Sequence, residues 1–477
     1  MADILKDWME FCEYKPEETA KEYPRVKEAF KRLQLTDKDI LNGKNRAIKY
    51  YQCDLRGMRM ILGTLVRGVV DMILSKDEGK LRLWLELPMG MMAPFLGTAS
   101  LLREDVVVAP TGIYHQQLMG AIFDKIDFLI AHAESRCLPQ GDSHCGCNQS
   151  RYALKSMGIV PIGDLNMAPS NYCDEAPKVD EAISRELGER VFYLNRPQDE
   201  YLYEPPGTGK HLEYYAGSIE MLRRDLSEVA GVEITDDLLK QNLMHYLMLV
   251  AEIRKIEELR AVADPQVMRS TTYDFLFDTY LFTPGQNGNQ QRLEALRVLQ
   301  EELKGMMERG EGVVEKGAPR ILYAPHNSFV NPVIGYTLEE AGLNLCCVEM
   351  YGNEAVRTDE LAAMFENAPA SVIFALLWLH LPVVFMQARA DTILKGINKG
   401  NIDAAILLAH HTCRVYGSDM LFVKNILRKE LGPEFPVAVM EYDIYDPKYY
   451  AEQIVTRLQS FAEMVRANKA LSAKSAA

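Results

Sequence analysis

The stretch DAAILLAHHTCRVYGSDMLFVKNILRKELGPEFPVAVMEYDIYDPKYY (Asp403–Tyr450) decides the fold. It opens on an unbroken apolar run, Ala404–Ala409, of a length that suits a buried strand. Turn formers and Cys413 follow, then a helical stretch from Ser418, then a second apolar run at Pro436–Glu441. Strand, helix and strand in that order make a βαβ unit, whose strands lie parallel in one sheet.

The same rhythm continues outward. RILYA (Arg320–Ala324) predicts a strand, followed by a helix near Asn331–Ala341 and a strand at Leu343–Val348. Further upstream, Leu81–Leu87, Val106–Ala109, Phe128–Ala131 and Val191–Leu194 read as strands with helical stretches between them. Leu238–Ala263 and Arg292–Arg309 instead place apolar residues at helical spacing on one face. Lys15–Gln34 is charged and helical, and Leu35-Thr36-Asp37 offers a cap to a further helix. The expected fold is therefore α/β, with two doubly wound parallel sheets of flavodoxin or Rossmann type. The expected divisions are a helical N-terminal region (1–80), a first α/β domain (81–205), a helical connection (206–315) and a second α/β domain (316–477). No internal repeat is visible in the sequence. In such sheets ligands bind at the carboxyl ends of the strands, where the strand order reverses.

The 477 residues include 53 Lys and Arg against 67 Asp and Glu, a net charge of −14, which argues against nucleic-acid binding. The N-terminus is acidic throughout and carries no apolar leader. The longest apolar run, Ser371–Met386, contains His380 and Pro382 and is too short to span a bilayer. A cytoplasmic protein, bound to neither membrane nor nucleic acid, is expected.

One motif is rejected. EPPGTGKH (Glu204–His211) resembles a phosphate loop, but Glu204 takes the place of its first glycine and His211 that of its Mg²⁺-binding hydroxyl. A carboxylate there would repel phosphate. The segment is expected to be a turn leading into a helix, and Lys210 to bind no nucleotide.

Nine cysteines remain to be sorted. Cys147, Cys173 and Cys413 fall where a loop or strand enters a helix, a setting that favours thiolates and offers N–H groups to sulfur. Such a set could hold an iron–sulfur cluster, but three scattered cysteines without a C-x-x-C pair do not establish one. Cys346 and Cys347 sit in a strand and read as core residues. Cys12 and Cys53 belong to the helical N-terminus.

The resemblance lies in these same segments. CNQSRYAL (Cys147–Leu154) resembles the first ligand segment of the 2-hydroxyacyl-CoA dehydratase and benzoyl-CoA reductase family, roughly C-x-Y-x-R-x-x-L. Cys173-Asp174 is similar to its second cysteine, Gly231–Lys255 to its interdomain helix, and Asp403–Tyr450 to its third-ligand region. There are departures: Met89-Gly90 follows Pro88 where the family commonly has P-E-E-L, and Gln149 replaces an aromatic. Cys145 precedes Cys147 in HCGC and is an alternate ligand.

The resemblance implies a subunit of the D-component type holding one [4Fe–4S] cluster on Cys147, Cys173 and Cys413. It implies a related second subunit forming a heterodimer, a CoA-thioester substrate, and an ATP-hydrolysing iron–sulfur activator that donates one electron. The implied reaction is oxygen-sensitive radical dehydration of a 2-hydroxyacyl-CoA to an enoyl-CoA. His410, His411 and Ser328 are candidates for proton handling or substrate contact, and His326 and Asn327 adjoin the last. Asp419 flanks the third cysteine and is a further candidate. Three alternatives stay open. They are a benzoyl-CoA-type ring reductase, a double-cubane enzyme recruiting Cys145 and Cys137, and a non-catalytic partner subunit.

Overall fold

The computed structural model describes residues 3–86, 92–138, 144–169, 173, 175–195, 209–281, 283–286, 288–325, 331–349, 358–379, 386–410, 412, 413, 417, 419–442 and 451–476. Four helices, Ile4–Phe11, Pro16–Arg32, Asp37–Tyr51 and Arg56–Leu74, precede the first strand. Thr36 starts the third with a capping box: Asp39 N donates to its hydroxyl, and its own N–H donates to the Asp39 carboxylate.

Two parallel sheets of four strands follow. The first comprises β1 (Leu81–Leu85), β2 (Val106–Pro110), β3 (Leu165–Pro169) and β4 (Val191–Leu194), in the order β2-β1-β3-β4. The second comprises β5 (Arg320–Ala324), β6 (Asn344–Val348), β7 (Ala404–His410) and β8 (Val437–Tyr442), in the order β6-β5-β7-β8. The two orders are the same, a structural repeat that the sequence does not display. Every residue of β7 is buried, as a central parallel strand covered on both faces requires.

One expected strand is a helix. Phe128–Ala131 lies within the helix Asp127–Ser135, which turns Leu129, Ile130 and Ala133 inward. The first sheet instead takes Leu165–Pro169 as β3, paired with β1 on one side and β4 on the other.

The helices Gly209–Ala230, Asp236–Val262, Ser270–Leu281 and Asn289–Arg309 join the two sheets. Asp236–Val262 packs against both Ala93–Gly97 of the first half and β6 of the second. Asn242 Nδ2 donates to the carbonyls of Pro94 (2.5 Å) and Pro284 (2.9 Å). Arg260 Nη2 donates to Leu345 O at 2.7 Å, and Tyr323 Oη donates to Asp274 at 2.7 Å. No described helix is long and apolar enough to cross a membrane.

Candidate functional site

Strand order in the first sheet reverses between β1 and β3. At the carboxyl end of β1 stands Glu86, buried, its carboxylate accepting from the hydroxyl of Thr111 and from Lys155 Nζ at 3.3 Å. β2 runs directly into the helix Thr111–His115 and a wholly buried π-helical turn, Gln116–Ile122. Gly112 sits at this junction. A methyl group on its Cα would stand 3.3 Å from Glu86 Oε2 and 3.6 Å from Cys147 Sγ, so glycine lets this backbone approach both.

Cys145 is the N-cap residue of the helix Gly146–Ser156, and Cys147 lies in its first turn. The Cys145 N–H donates to Glu175 Oε1 at 2.5 Å, the carboxylate that also lies 3.3 Å from His144 Nδ1. Asn148 Nδ2 donates to Cys145 Sγ at 3.5 Å. Cys173 follows β3, and its sulfur accepts from Ala176 N at 3.4 Å, the first residue of the helix Ala176–Leu187.

The two neighbouring thiols are pushed in opposite directions. Their mutual hydrogen bond raises Cys145 well above the ordinary thiol range, and burial, Glu175 and Cys173 push the same way. The same bond lowers Cys147 against the effect of burial, helped by Gln116 and Arg151. A thiolate at Cys147 has Gln116 and Arg151 to favour it, and the thiolate is the form that binds metal. Below them Arg151 is buried, donating to Asp180, to Ala176 O at 2.6 Å and to Asn148 Oδ1 at 2.9 Å.

In the second sheet Cys413 follows β7 and is half-buried; its N–H donates to His410 O at 2.9 Å, and its carbonyl accepts from Gly417 N at 2.6 Å. His410 is buried with its ring against the Thr412 hydroxyl, 3.2 Å from Nε2. Asp419 lies beside the buried Arg389 guanidinium. His411, Ser328, His326, Asn327 and the segment Glu204–Thr208 lie outside the described residues. Cys346 and Cys347 are fully buried in β6, their sulfurs 3.6 Å apart, and Cys12 and Cys53 are fully buried. Cys137 is exposed at the end of the Asp127–Ser135 helix.

Among the described residues no three His, Cys, Asp or Glu side chains form a ready-made metal site. The donor set nevertheless fits an iron–sulfur group in kind. It offers a thiol of lowered pKa, neighbouring thiols, and N–H donors aimed at sulfur. Sequence reasoning missed Glu86, Thr111, Gly112 and Gln116. The available signal was a lone carboxylate closing the apolar run LRLWLEL, a residue type seldom buried without a purpose.

No curated protein matches this chain. The family model for the 2-hydroxyglutaryl-CoA dehydratase D-component matches residues 105–465, which include Cys147, Cys173 and Cys413. By that match over most of its length, the chain belongs to the 2-hydroxyglutaryl-CoA dehydratase D-component family.

Proposed function

We propose that this chain is the cluster-bearing subunit of an oxygen-sensitive dehydratase that converts a 2-hydroxyacyl-CoA into an enoyl-CoA and water. The observation that carries this reading is the hydrogen-bonded thiol pair Cys145 and Cys147, close enough to Cys173 to feel its charge, in a chain of this family. Cys147, Cys173 and Cys413 hold a [4Fe–4S] cluster, with Cys145 the alternate to Cys147. When bound, the cluster supplies an electron and a Lewis-acidic iron to the thioester carbonyl. The protein's own contribution is binding and orientation. The Ala176 N–H and the Gln116 amide stabilise the Cys173 and Cys147 sulfurs as thiolates, and the surrounding core keeps water from Cys147. Proton handling falls to His410, which ends β7, to His411 next to it in the chain, or to Ser328, which follows β5 in the chain. A related second subunit completes the CoA-thioester site, and an ATP-hydrolysing iron–sulfur activator delivers the electron in the cytoplasm.

The test is anaerobic co-purification with the second subunit, counting iron and acid-labile sulfide, followed by assay with activator and ATP. The expected results are a brown protein with about four irons per cluster and formation of enoyl-CoA from a 2-hydroxyacyl-CoA. Cys173→Ala and Cys413→Ala should lose most of the iron, and Cys346→Ala should keep it. Absence of iron from the wild-type complex removes the proposal. Reduction of an aromatic CoA thioester instead of dehydration replaces the reaction while keeping the cluster.

A further inference from the structure

β3 and β7 occupy the same place in their two sheets, each between the first strand of its half and an edge strand. Each is preceded by a helix, Gly146–Ser156 or Met386–Gly400, and followed by a cysteine and a second helix, Ala176–Leu187 or Met420–Leu431. From each preceding helix rises one buried arginine, Arg151 or Arg389, with only 1% of its side chain exposed. Each pairs with an aspartate of the helix that follows the cysteine in the chain. Arg151 pairs with Asp180, and Arg389 with Asp419, the N-cap residue of its helix. Each also meets a glutamate just past another strand of its sheet. Glu86 Oε1 is 3.8 Å from Arg151 Nη1, and Glu349 Oε1 accepts from Arg389 Nε at 2.8 Å.

Stability alone does not call for this arrangement. Apolar residues of similar volume often replace a buried ion pair at no loss, so two at equivalent positions ask for another reason. What both pairs share is the cysteine that lies between their two members in the chain, Cys173 in one half and Cys413 in the other.

We infer that Arg151 and Arg389 are positioning residues, twin braces that tie together the helices on either side of Cys173 and of Cys413 and so set where each cluster-ligating sulfur stands. Because it names positioning groups for the cluster, this inference rests on the proposed function above. A guanidinium fork suits the task, since it meets a carboxylate through two parallel donors and keeps its charge at any working pH. Replacing it with a neutral group leaves two carboxylates uncompensated, and negative charge held near a cluster disfavours its reduced, more negative state.

The full chain, reconstituted anaerobically with iron and sulfide, is compared with Arg151→Lys, Arg151→Gln, Arg389→Lys and Arg389→Gln. Near-ultraviolet circular dichroism monitors the fold, iron is counted, and redox titration is followed by electron paramagnetic resonance. Wild-type protein that takes up no cluster overturns the ligand assignment itself. If the wild type loads, each Gln variant should lower the reduced-to-oxidised ratio at the wild-type midpoint at least tenfold, which is about 59 mV for one electron. Each Lys variant keeps the charge but not the fork, so it should hold the potential while changing the resonance line shape. Loss of iron from a Gln variant with native dichroism also supports the braces. If a Gln variant fails to fold, the Lys variant decides. Unchanged iron, potential and line shape in the variants of either arginine overturns the inference while leaving the cluster in place.

Discussion

Lys155 Nζ lies 2.8 Å from Glu189 Oε2, and neither side chain touches solvent. Burial alone would lower the Lys155 pKa, but Glu189 and Glu86 outweigh it and raise it. Glu189 is used fully: Gly163 N donates to it at 2.7 Å and Asn166 Nδ2 at 3.1 Å. Removing one partner would leave a buried charge without its counter-ion. Lys155→Ala should therefore destabilise the first half by roughly 3–5 kcal/mol. Urea denaturation followed by circular dichroism measures this, and a loss within the error of the fit would contradict it.

His115 leads to a prediction about acid. It is fully buried, and burial pushes its imidazole down to about 3 from an ordinary value of about 6.5. Above pH 6.5 the ring is neutral whether the chain is folded or unfolded, and it adds no pH dependence. Between about 6.5 and 3 the unfolded chain binds a proton that the folded chain refuses, so stability falls with pH by up to about 1.4 kcal/mol per unit. His115→Gln should flatten that part of the stability curve and leave the region above pH 7 with its slope unchanged. Equal slopes for the two proteins between pH 4 and 6 would refute the assignment.

Two glycines should respond to alanine with opposite sign. At Gly97 an added Cβ would stand 1.8 Å from Pro284 O, a backbone atom fixed by Asn242. Gly217 is exposed in the middle of the helix Gly209–Ala230, with nothing near its Cβ position. Gly97→Ala should cost about 1–3 kcal/mol through overpacking, whereas Gly217→Ala should add about 0.5–1 kcal/mol through helix propensity. Thermal melting of the two variants side by side checks both.

How much of this was legible in the sequence varied with the kind of contact involved. AAILLA and RILYA announce themselves because central parallel strands are buried on both faces and read as continuous apolar runs. LNMAP does not. Asn166 is its second residue, Pro169 ends it, and its place between β1 and β4 depends on tertiary pairing. Phe128–Ala131 is apolar enough for a strand, yet one helical turn turns Leu129, Ile130 and Ala133 inward equally well. Among the site residues, the loop-to-helix settings of Cys147, Cys173 and Cys413 follow from local turn and helix signals. The buried carboxylates and arginines behind them do not, because Glu86, Arg151 and Asp180 come from separate elements and acquire meaning only when packed together.

The last prediction separates Cys145 from Cys147, which stand one residue apart and differ in surroundings. Cys145 caps a helix, its N–H is held by Glu175, and its neighbour's sulfur, then burial and that carboxylate, push the thiol toward staying protonated. Cys147 lies beside Gly112, with Gln116 and Arg151 favouring its thiolate. Metal ligation requires the thiolate, so the sulfur already biased toward losing its proton is the better ligand. Cys145→Ala should then retain most of the iron of the anaerobically purified protein, and Cys147→Ala should lose most of it. Counting iron and acid-labile sulfide in the two variants decides the matter, with Cys137→Ala as an exposed control. The reverse pattern would pass the first ligand position to Cys145, and loss in both would make the pair act together.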